Sequence, residues 1–301
     1  MHPQPPTMPP PAGPPAGWYP DPGGYGMRYF DGFRWSPAAA YPAAPPVADR
    51  EPFPTLPLSA ALGALVVLAL SLVVQNVVAR QLSDTGLPTL VKAGVGLVLA
   101  YGPSLWWARR VVRQAGGGAR QQLGWRFRWV DLGWGPLTWI GSHVANVIVI
   151  LVAVEALGVP FESNVESTTD DITAAYVIAM LVSAVIAAPL VEEIVFRGVV
   201  LRGLVGKIGV VAAVPVQGVL FGMAHLDPID RGWGNIGLIL GLSTVGCGLG
   251  LVTVLTRRLG AAIIAHACLN GFVMTLVLTG VADDLERDVG SLAVRALWMV
   301  L

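Results

Sequence analysis

The chain carries very little charge for its length. Only 13% of its 301 residues are Asp, Glu, Lys or Arg, 54% are hydrophobic, and the 19 basic residues balance the 19 acidic ones. A soluble domain of this size carries about 25% charged residues. The low charge therefore indicates that lipid surrounds much of the chain, and the even balance of signs argues against nucleic acid as a partner.

Cysteine is also scarce. Cys247 and Cys268 both lie in apolar runs, so a disulfide framework is not expected. Residues 1–50 are proline-rich and lack the apolar core of a cleavable signal peptide, which predicts that later segments drive membrane insertion. The HExxH pattern of soluble zinc proteases is missing as well.

Proline-rich stretches flank an aromatic cluster near the N-terminus. The high proline content predicts that residues 1–16 are disordered and that residues 37–56 form an extended Pro/Ala-rich linker. Between them, residues 17–36 combine several aromatic rings with turn signals, which predicts a small Trp-rich hairpin module. A disordered tail with scattered aromatic residues is the alternative, because so short a stretch has little core.

From residue 57 onward, apolar runs are long enough to cross a bilayer at about 20 residues each. They predict an all-α, polytopic transmembrane helical bundle over 57–301, with about seven spans. The predicted spans are 57–80, 90–108, 136–158, 172–201, 209–226, 235–256 and 260–279, with a weaker candidate at 291–301.

Basic residues cluster after alternate spans. They follow the second span (Arg109 to Arg128), the fourth (Arg202, Lys207) and the sixth (Arg257, Arg258), whereas 161–171 and 283–288 are mainly acidic. By the positive-inside rule, we expect the N-terminus in the cytoplasm. The basic, Trp-bearing segment 123–135 is predicted to lie at the membrane surface.

Three charged residues interrupt the apolar run PLVEEIVFRG at 189–198. A charge near the bilayer centre costs on the order of 3 kcal/mol, so these side chains need partners or a protein interior. Glu193 and Arg197 are four residues apart on one helix face, which predicts an ion pair. Glu192 is rotated by about 100° from Glu193 and is predicted to face a cavity. Pro189 is predicted to kink the helix just before the glutamates.

Two later apolar runs also carry polar side chains. His225 ends one run, and His266 and Asn270 lie four apart in the last span. A single intramembrane histidine is often structural, but its coincidence with the other polar residues indicates a site. Glu192 and His225 lie about 22 to 24 Å from their cytoplasmic helix ends and His266 only about 12 Å. The groups therefore meet only if the last helix tilts or begins inside the protein.

Other polar and small residues in the spans have simpler interpretations. Lys92 lies near a span end and is predicted to extend its amine to the membrane surface. His143 and Asn146 share a helix face, which predicts that they hold helices together. The spaced glycines Gly246 and Gly250 favour close approach of two helices.

Three motifs occur in a fixed order on separate predicted helices. EEIVFR (192–197), FGMAH (221–225) and HACLN (266–270) match EExxxR, FxxxH and HxxxN. Over about residues 90–280 the chain resembles the CPBP family of intramembrane proteases, which includes type II CAAX prenyl endopeptidases and bacterial proteins linked to bacteriocin processing or self-immunity. This core is expected to contain the site.

The aromatic N-terminal stretch carries a second resemblance. WYPDPGG and RYFDG resemble a short Trp-rich domain of unknown function at the cytoplasmic N-termini of many actinobacterial membrane proteins. This resemblance implies a bacterial plasma membrane and an unidentified cytoplasmic partner for residues 17–36.

The protease resemblance implies roles for the motif residues. In similar proteins the residues equivalent to Glu192 and His225 activate water, and those equivalent to His266 and Asn270 form the oxyanion site. The pair of Glu193 and Arg197 supports them. The implied activity is hydrolysis of a peptide bond in a membrane protein or a membrane-bound peptide.

The resemblance also implies a metal. The family is commonly classed as metalloproteases, and two imidazoles with a carboxylate suffice for a catalytic zinc. We therefore expect a divalent metal, with zinc the first choice, on Glu192, His225 and His266. A glutamate with a histidine can also activate water without metal, so that alternative stays open.

Two other functions fit parts of the sequence. A proton- or ion-coupled transporter would use the buried carboxylate and histidines as a relay, but no internal repeat or paired pattern of broken helices is visible. A catalytically inactive membrane scaffold would act through the aromatic module at 17–36, although the intact motifs argue against it.

Overall fold

The computed structural model of the chain describes residues 14–21, 27–36, 53–159, 173–226 and 236–279. The chain divides into two compact units, Met1–Pro52 and Phe53–Leu301. The weak span candidate at 291–301 and the acidic stretches 161–171 and 283–288 lie outside the described residues.

The aromatic stretch of the first unit forms a hairpin. Strand β1 (Gly17–Pro20) pairs antiparallel with β2 (Met27–Phe30). Trp35 packs back on the strands, with its ring centroid 5.8 Å from that of Tyr19 and 5.0 Å from that of Phe30. Such ring contacts stabilise a module that is too small for a hydrophobic core. The predicted hairpin is confirmed.

The described part of the second unit is helical. Its α-helices are α1 (Leu58–Ser83), α2 (Thr89–Ala115), α3 (Ala119–Gln122), α4 (Asp131–Leu151), α5 (Ala174–Met180), α6 (Ala188–Glu193), α7 (Leu201–Met223), α8 (Ile236–Thr256) and α9 (Gly260–Leu278). Three π-helical segments, Val152–Ala156, Leu181–Ala187 and Ile194–Val200, continue or join them. The predicted transmembrane helical bundle is confirmed.

Five helical stretches of the described residues are long and apolar enough to cross a membrane. One of them, Ala174–Met223, has 50 residues, about 75 Å at the α-helical rise and far more than one bilayer crossing requires. Its backbone leaves the helix at Gly209, where φ is 74°, so it contains both predicted spans 172–201 and 209–226. With α2, whose 27 residues include four basic side chains, the spans agree with about seven.

Three predicted boundaries were wrong. The second span was predicted to end at 108, but α2 continues to Ala115. The fourth span continues past its predicted end at 201, because Arg202 and Lys207 lie in α7 ahead of the break at Gly209. Arg202 is buried, with its guanidinium 4.7 Å from the centroid of the Phe53 ring. The third span starts five residues early, because α4 begins at Asp131 instead of 136.

Helices α7 and α8 meet through glycines. A Cβ atom on Gly246 would lie 2.9 Å from the Cα of Gly218, closer than side chains tolerate. The predicted role of Gly246 in close helix approach is therefore confirmed. The contact brings the backbone of α8 against the helix that ends in the FxxxH motif.

A buried ion pair ties the start of α4 to the turn between α8 and α9. Arg258 donates from Nε to Asp131 Oδ1 at 2.7 Å, and the backbone N–H of Arg128 donates to Oδ2 at 2.8 Å. Arg258 is only 9% exposed, so α9 begins inside the protein. We expected His266 to reach the other polar residues only if the last helix tilts or begins inside the protein. The buried start of α9 meets the second of these conditions.

Candidate active site

Glu192 and Glu193 are the last two residues of a short α-helix, and a wider, π-helical segment lies on each side of this helix. Helix α6 lies between the π-helical segments Leu181–Ala187 and Ile194–Val200. Pro189 stands near the start of α6, where its missing N–H leaves a carbonyl of the preceding turn without its usual donor. Wide turns of this kind are frequent at functional sites, because they change which side chains face the interior.

Glu193 and Arg197 form a fully buried ion pair. Arg197 Nη1 donates to Glu193 Oε1 at 2.8 Å, and neither side chain is exposed. Arg197 Nη2 donates to the Gly246 carbonyl of α8 at 3.1 Å, and the guanidinium carbon lies 4.5 Å from the centroid of the Phe221 ring. The pair that the four-residue spacing predicted therefore also anchors α8 and the FxxxH phenylalanine.

Glu193 has a second partner that the sequence did not reveal. His266 Nδ1 lies 2.9 Å from Glu193 Oε1. A carboxylate accepts hydrogen bonds, so Nδ1 carries the proton and the Nε2 side of the ring is the one left for other contacts. Glu193 thus orients His266 in addition to neutralising Arg197.

Glu192 is held by a residue that sequence reasoning missed. The hydroxyl of Tyr101, on α2, donates to Glu192 Oε1 at 3.0 Å. Glu192 Oε2 is buried and has no hydrogen-bond partner among the described residues. The only signal for Tyr101 in the sequence was a phenol in the middle of an apolar span. Sequence spacing could not relate it to a residue 91 positions away.

The FxxxH motif supplies an aromatic support and an imidazole. His225 Nδ1 lies 2.9 Å from the Phe221 carbonyl, which can only accept, so Nδ1 carries the proton. The Phe221 ring lies between the two histidines, with centroid distances of 5.0 Å to His225 and 5.6 Å to His266. Phe221 is 1% exposed, so it separates the imidazoles as a rigid spacer.

Asn270 is oriented by the first π-helical segment. Its Nδ2 donates to the Ala184 carbonyl at 2.7 Å. This bond uses one of the two amide N–H groups, and the other remains for a further acceptor. The segment Leu181–Ala187 therefore positions a side chain of α9.

One cavity of about 190 Å³ brings the predicted residues together. Its lining includes all four residues predicted to be catalytic, Glu192, His225, His266 and Asn270. The supporting residues Glu193 and Arg197 are buried beside it. The cavity thus combines a carboxylate, two imidazoles and an amide in otherwise apolar surroundings, as general acid–base chemistry requires.

The metal centre expected on Glu192, His225 and His266 is not preformed in the described residues. In the part of the chain that the structure describes, no group of three or more His, Cys, Asp or Glu side chains could hold a metal ion. Both imidazoles do use Nδ1 on an oxygen acceptor, as metal-binding histidines also do. The zinc expectation therefore stays a prediction.

His143 and Asn146 do not line the cavity. His143 packs its ring edge-on against Phe272 of α9, and Asn146 is fully buried at the position where Gly241 of α8 comes close. Both contacts join α4 to a neighbouring helix, in agreement with the packing role predicted for them.

Two comparisons with known proteins agree with the motifs. Residues 174–272 match the family described as type II CAAX prenyl endopeptidase Rce1-like, a range that contains every residue predicted for the site. The chain is also 27% identical over 131 residues to a Bacillus subtilis (strain 168) protein named "Putative membrane peptidase YdiL". That alignment covers 44% of this chain, and the chain spans about half (50%) of the length of that relative.

The N-terminal hairpin falls within another match. Residues 16–48 match a protein family of unknown function, DUF2510. No solved structure matches the chain. The resemblance drawn from the three motifs is thus confirmed: residues 174–272 form a region similar to the Rce1-like type II CAAX prenyl endopeptidases, in a chain whose N-terminal part matches DUF2510.

Proposed function

We propose that the protein is an intramembrane endopeptidase that hydrolyses a peptide bond in a membrane protein or membrane-bound peptide. The observation that carries the proposal is the cavity lined by Glu192 of α6, His225 of the turn after α7, and His266 and Asn270 of α9. Burying these groups in an apolar bundle costs free energy, and such groups therefore indicate a functional site.

Glu192 acts as the general base in this proposal. Tyr101 holds Oε1, so the buried Oε2 is the oxygen that accepts a proton from water. The hydroxide attacks the carbonyl carbon of the substrate, and the protonated Glu192 then returns the proton to the departing amide nitrogen as the C–N bond breaks. His225, with Nδ1 committed to a backbone carbonyl, positions the attacking water.

His266 and Asn270 stabilise the negative charge on the substrate oxygen. A doubly protonated His266 would present an Nε2–H to this oxygen while its Nδ1–H stays on Glu193. With Arg197, it would balance the two negative charges of Glu192 and Glu193, as a low-dielectric interior favours. The second N–H of Asn270 supplies another donor.

The surroundings of the cavity support a proposal for the substrate. Because the cavity lies among helices that are apolar enough to cross a membrane, we propose a membrane-associated protein or peptide as the substrate and the lipid bilayer as the second partner. We place the protein in a bacterial plasma membrane with its N-terminus in the cytoplasm. The hairpin at 17–36 would bind a further cytoplasmic partner.

Substitution of Glu192 tests the proposal. Wild type, Glu192→Ala and Ser71→Ala are reconstituted in liposomes with Leu/Ala-rich membrane peptides and with prenylated peptides. Ser71 serves as the control because it is buried in α1, outside the site cavity, and its hydroxyl donates to the carbonyl of Val67 in its own helix. Cleavage by wild type and Ser71→Ala but not by Glu192→Ala supports the protease. Ion flux without cleavage would favour a transporter, and a cellular phenotype that needs residues 17–36 but not Glu192 would favour a scaffold.

Zinc assistance is proposed separately and has its own test. Metal content is measured in purified wild type and in His225→Ala. Stoichiometric zinc that is lost in the variant supports ligation by His225. Full activity in rigorously metal-free protein would overturn the proposal of a metal while leaving the protease intact.

A further inference from the structure

A larger cavity adjoins the candidate site. It has a volume of about 390 Å³ and lies between α1, α2 and the residues around the first π-helical segment. Ala184 and Ala188 line both this cavity and the site cavity, and Tyr101, which binds Glu192, forms part of its wall. The larger cavity therefore lies next to the site cavity, and its wall includes the tyrosine that binds the proposed base.

The walls of this cavity are mainly apolar, and small side chains form a large part of them. Ala79 of α1 and Ala93, Gly96 and Ala100 of α2 contribute to the lining. A Cβ on Gly96 would have no neighbour nearer than Gln75 Nε2, at 3.8 Å. The helices thus leave open space where larger residues would have closed the interface.

Gln75 is an unpaired polar group in this wall. It lies in α1, the apolar helix Leu58–Ser83, and its amide makes no hydrogen bond within the described residues. An unpaired amide inside a membrane costs several kcal/mol, so folding alone does not explain it. Its N–H and C=O groups complement those of an extended peptide backbone, which itself needs partners when it leaves helical form in lipid.

Among the described residues that line this cavity, Lys92 is the one cation. Its amine donates to the Ser83 carbonyl at 2.8 Å, and the described residues offer it no acidic partner. Lys92 and Tyr101 are nine residues apart on α2, about 14 Å along the helix axis. An extended chain covers that distance with about four residues.

We propose that the cavity between α1, α2 and the π-helical segment Leu181–Ala187 is the substrate-binding groove. It takes an extended, apolar stretch of peptide that pairs with Gln75 and carries an acidic side chain about four residues from the cleaved bond, opposite Lys92. Lys92 is half-buried and lies in the first turn of α2, at the end of the groove. In this proposal, the part of the peptide beyond Lys92 extends into water. This inference rests on the proposed protease function, because it names the substrate class of that site.

Two glycines of α2 give a matched pair of test variants. Gly96→Leu places a side chain in the groove, whereas Gly94→Leu places one on the opposite, exposed face, since positions two apart differ by about 200° around the helix. Neither glycine has a neighbour that a Cβ would strike. For cleavage of a Leu/Ala-rich membrane peptide with one Glu, we expect Gly96→Leu to raise KM about tenfold and Gly94→Leu to leave it unchanged. Equal effects of the two variants, or no effect of either, would overturn the proposal.

The roles of Gln75 and Lys92 are tested by substituting these residues and by changing the side chains of the peptide. Gln75→Leu should raise KM for every peptide. Lys92→Met should abolish the preference for a Glu-containing peptide over its Gln counterpart, and Lys92→Glu should shift the preference to Lys. A preference that survives Lys92→Met would refute the contact with an acidic side chain. A peptide that lacks the Glu but has a free C-terminal carboxylate serves as a further probe. If it is cleaved as well as the Glu peptide, Lys92 binds a terminal carboxylate, and the proposed contact with an acidic side chain is wrong.

Binding can be tested without cleavage. A benzophenone amino acid is placed at position 96 or 94 in the Glu192→Ala background, and cross-linking to the same Glu peptide is measured. Cross-linking from 96 but not 94 supports the groove even if no hydrolysis is found. Cross-linking from 96 to lipid only would show that an acyl chain occupies the cavity, and would refute peptide binding. A protein that binds in the groove but never cleaves would instead refute the proposed function.

Discussion

Two buried carboxylate clusters of the transmembrane unit differ in how completely their oxygens are bonded. Asp131, at the start of α4, has Oδ1 bound by Arg258 and Oδ2 bound by the Arg128 N–H. Glu192 accepts from Tyr101 through Oε1, while Oε2 is buried and has no partner among the described residues. A saturated carboxylate holds helices together. A carboxylate beside a cavity with one unbonded oxygen lowers the stability of the fold, but that oxygen is available for chemistry.

The largest effect is expected at the unsaturated carboxylate. Glu192→Gln keeps the size and the acceptor for Tyr101 but removes the base, so peptide hydrolysis should fall about 1000-fold. The folded protein should unfold at the same temperature as wild type, because no buried ion pair is lost. Residual activity within tenfold of wild type would mean that another group deprotonates the water.

The saturated cluster should respond in the opposite way. Asp131→Asn leaves the Arg258 guanidinium buried without a counter-charge, which should lower the free energy of unfolding by about 3 kcal/mol. Thermal unfolding in detergent measures the loss. Hydrolysis per folded molecule should stay near that of wild type. A variant that keeps its stability but loses activity would show that the two clusters do not divide the roles as proposed.

Removing the Tyr101 hydroxyl should bring a smaller loss. Tyr101→Phe retains the ring but frees Glu192 Oε1, so kcat should fall by a factor of about 10 with KM unchanged. Ser104→Ala, a buried hydroxyl one turn further along α2, is the control and should leave kcat unchanged. If KM rises instead, the Tyr101 hydroxyl contacts the substrate directly.

The smallest effect is expected at an exposed, well-bonded carboxylate in the hairpin. The backbone N–H groups of Arg34 and Phe33 donate to Asp31 and lower the pKa of its carboxyl below the ordinary value of 3.8. A lowered folded-state pKa adds stability above pH 3.8 that is lost as pH falls through the folded value. The protection of the amides of residues 27–36 against hydrogen exchange, relative to the intrinsic rate at each pH, should therefore fall in acid. Asp31→Asn should remove that pH dependence, and a dependence that persists would point to Asp21, which pairs with Arg28.

Some contacts of the site could be predicted because they are local or repeat along one helix. The ion pair of Glu193 and Arg197 follows from a four-residue spacing, as does the common direction of His266 and Asn270. The hairpin also followed from neighbouring turn and aromatic residues. The bond from His266 to Glu193 and the bond from Tyr101 to Glu192 join distant parts of the chain, and no spacing rule applies to them.

The sequence by itself determined the membrane setting, the helical class and the identity of the polar residues in lipid, because these depend on composition and helix period alone. Only the tertiary structure decided which distant side chain each glutamate would bond to: Tyr101 for Glu192 and His266 for Glu193. That outcome depends on where α2 brings Tyr101, where α9 starts beneath the Asp131–Arg258 pair, and how the π-helical turns face α6 toward the cavity. Burial makes these contacts decisive, since lipid and protein interior offer no water to satisfy a group that lacks a partner.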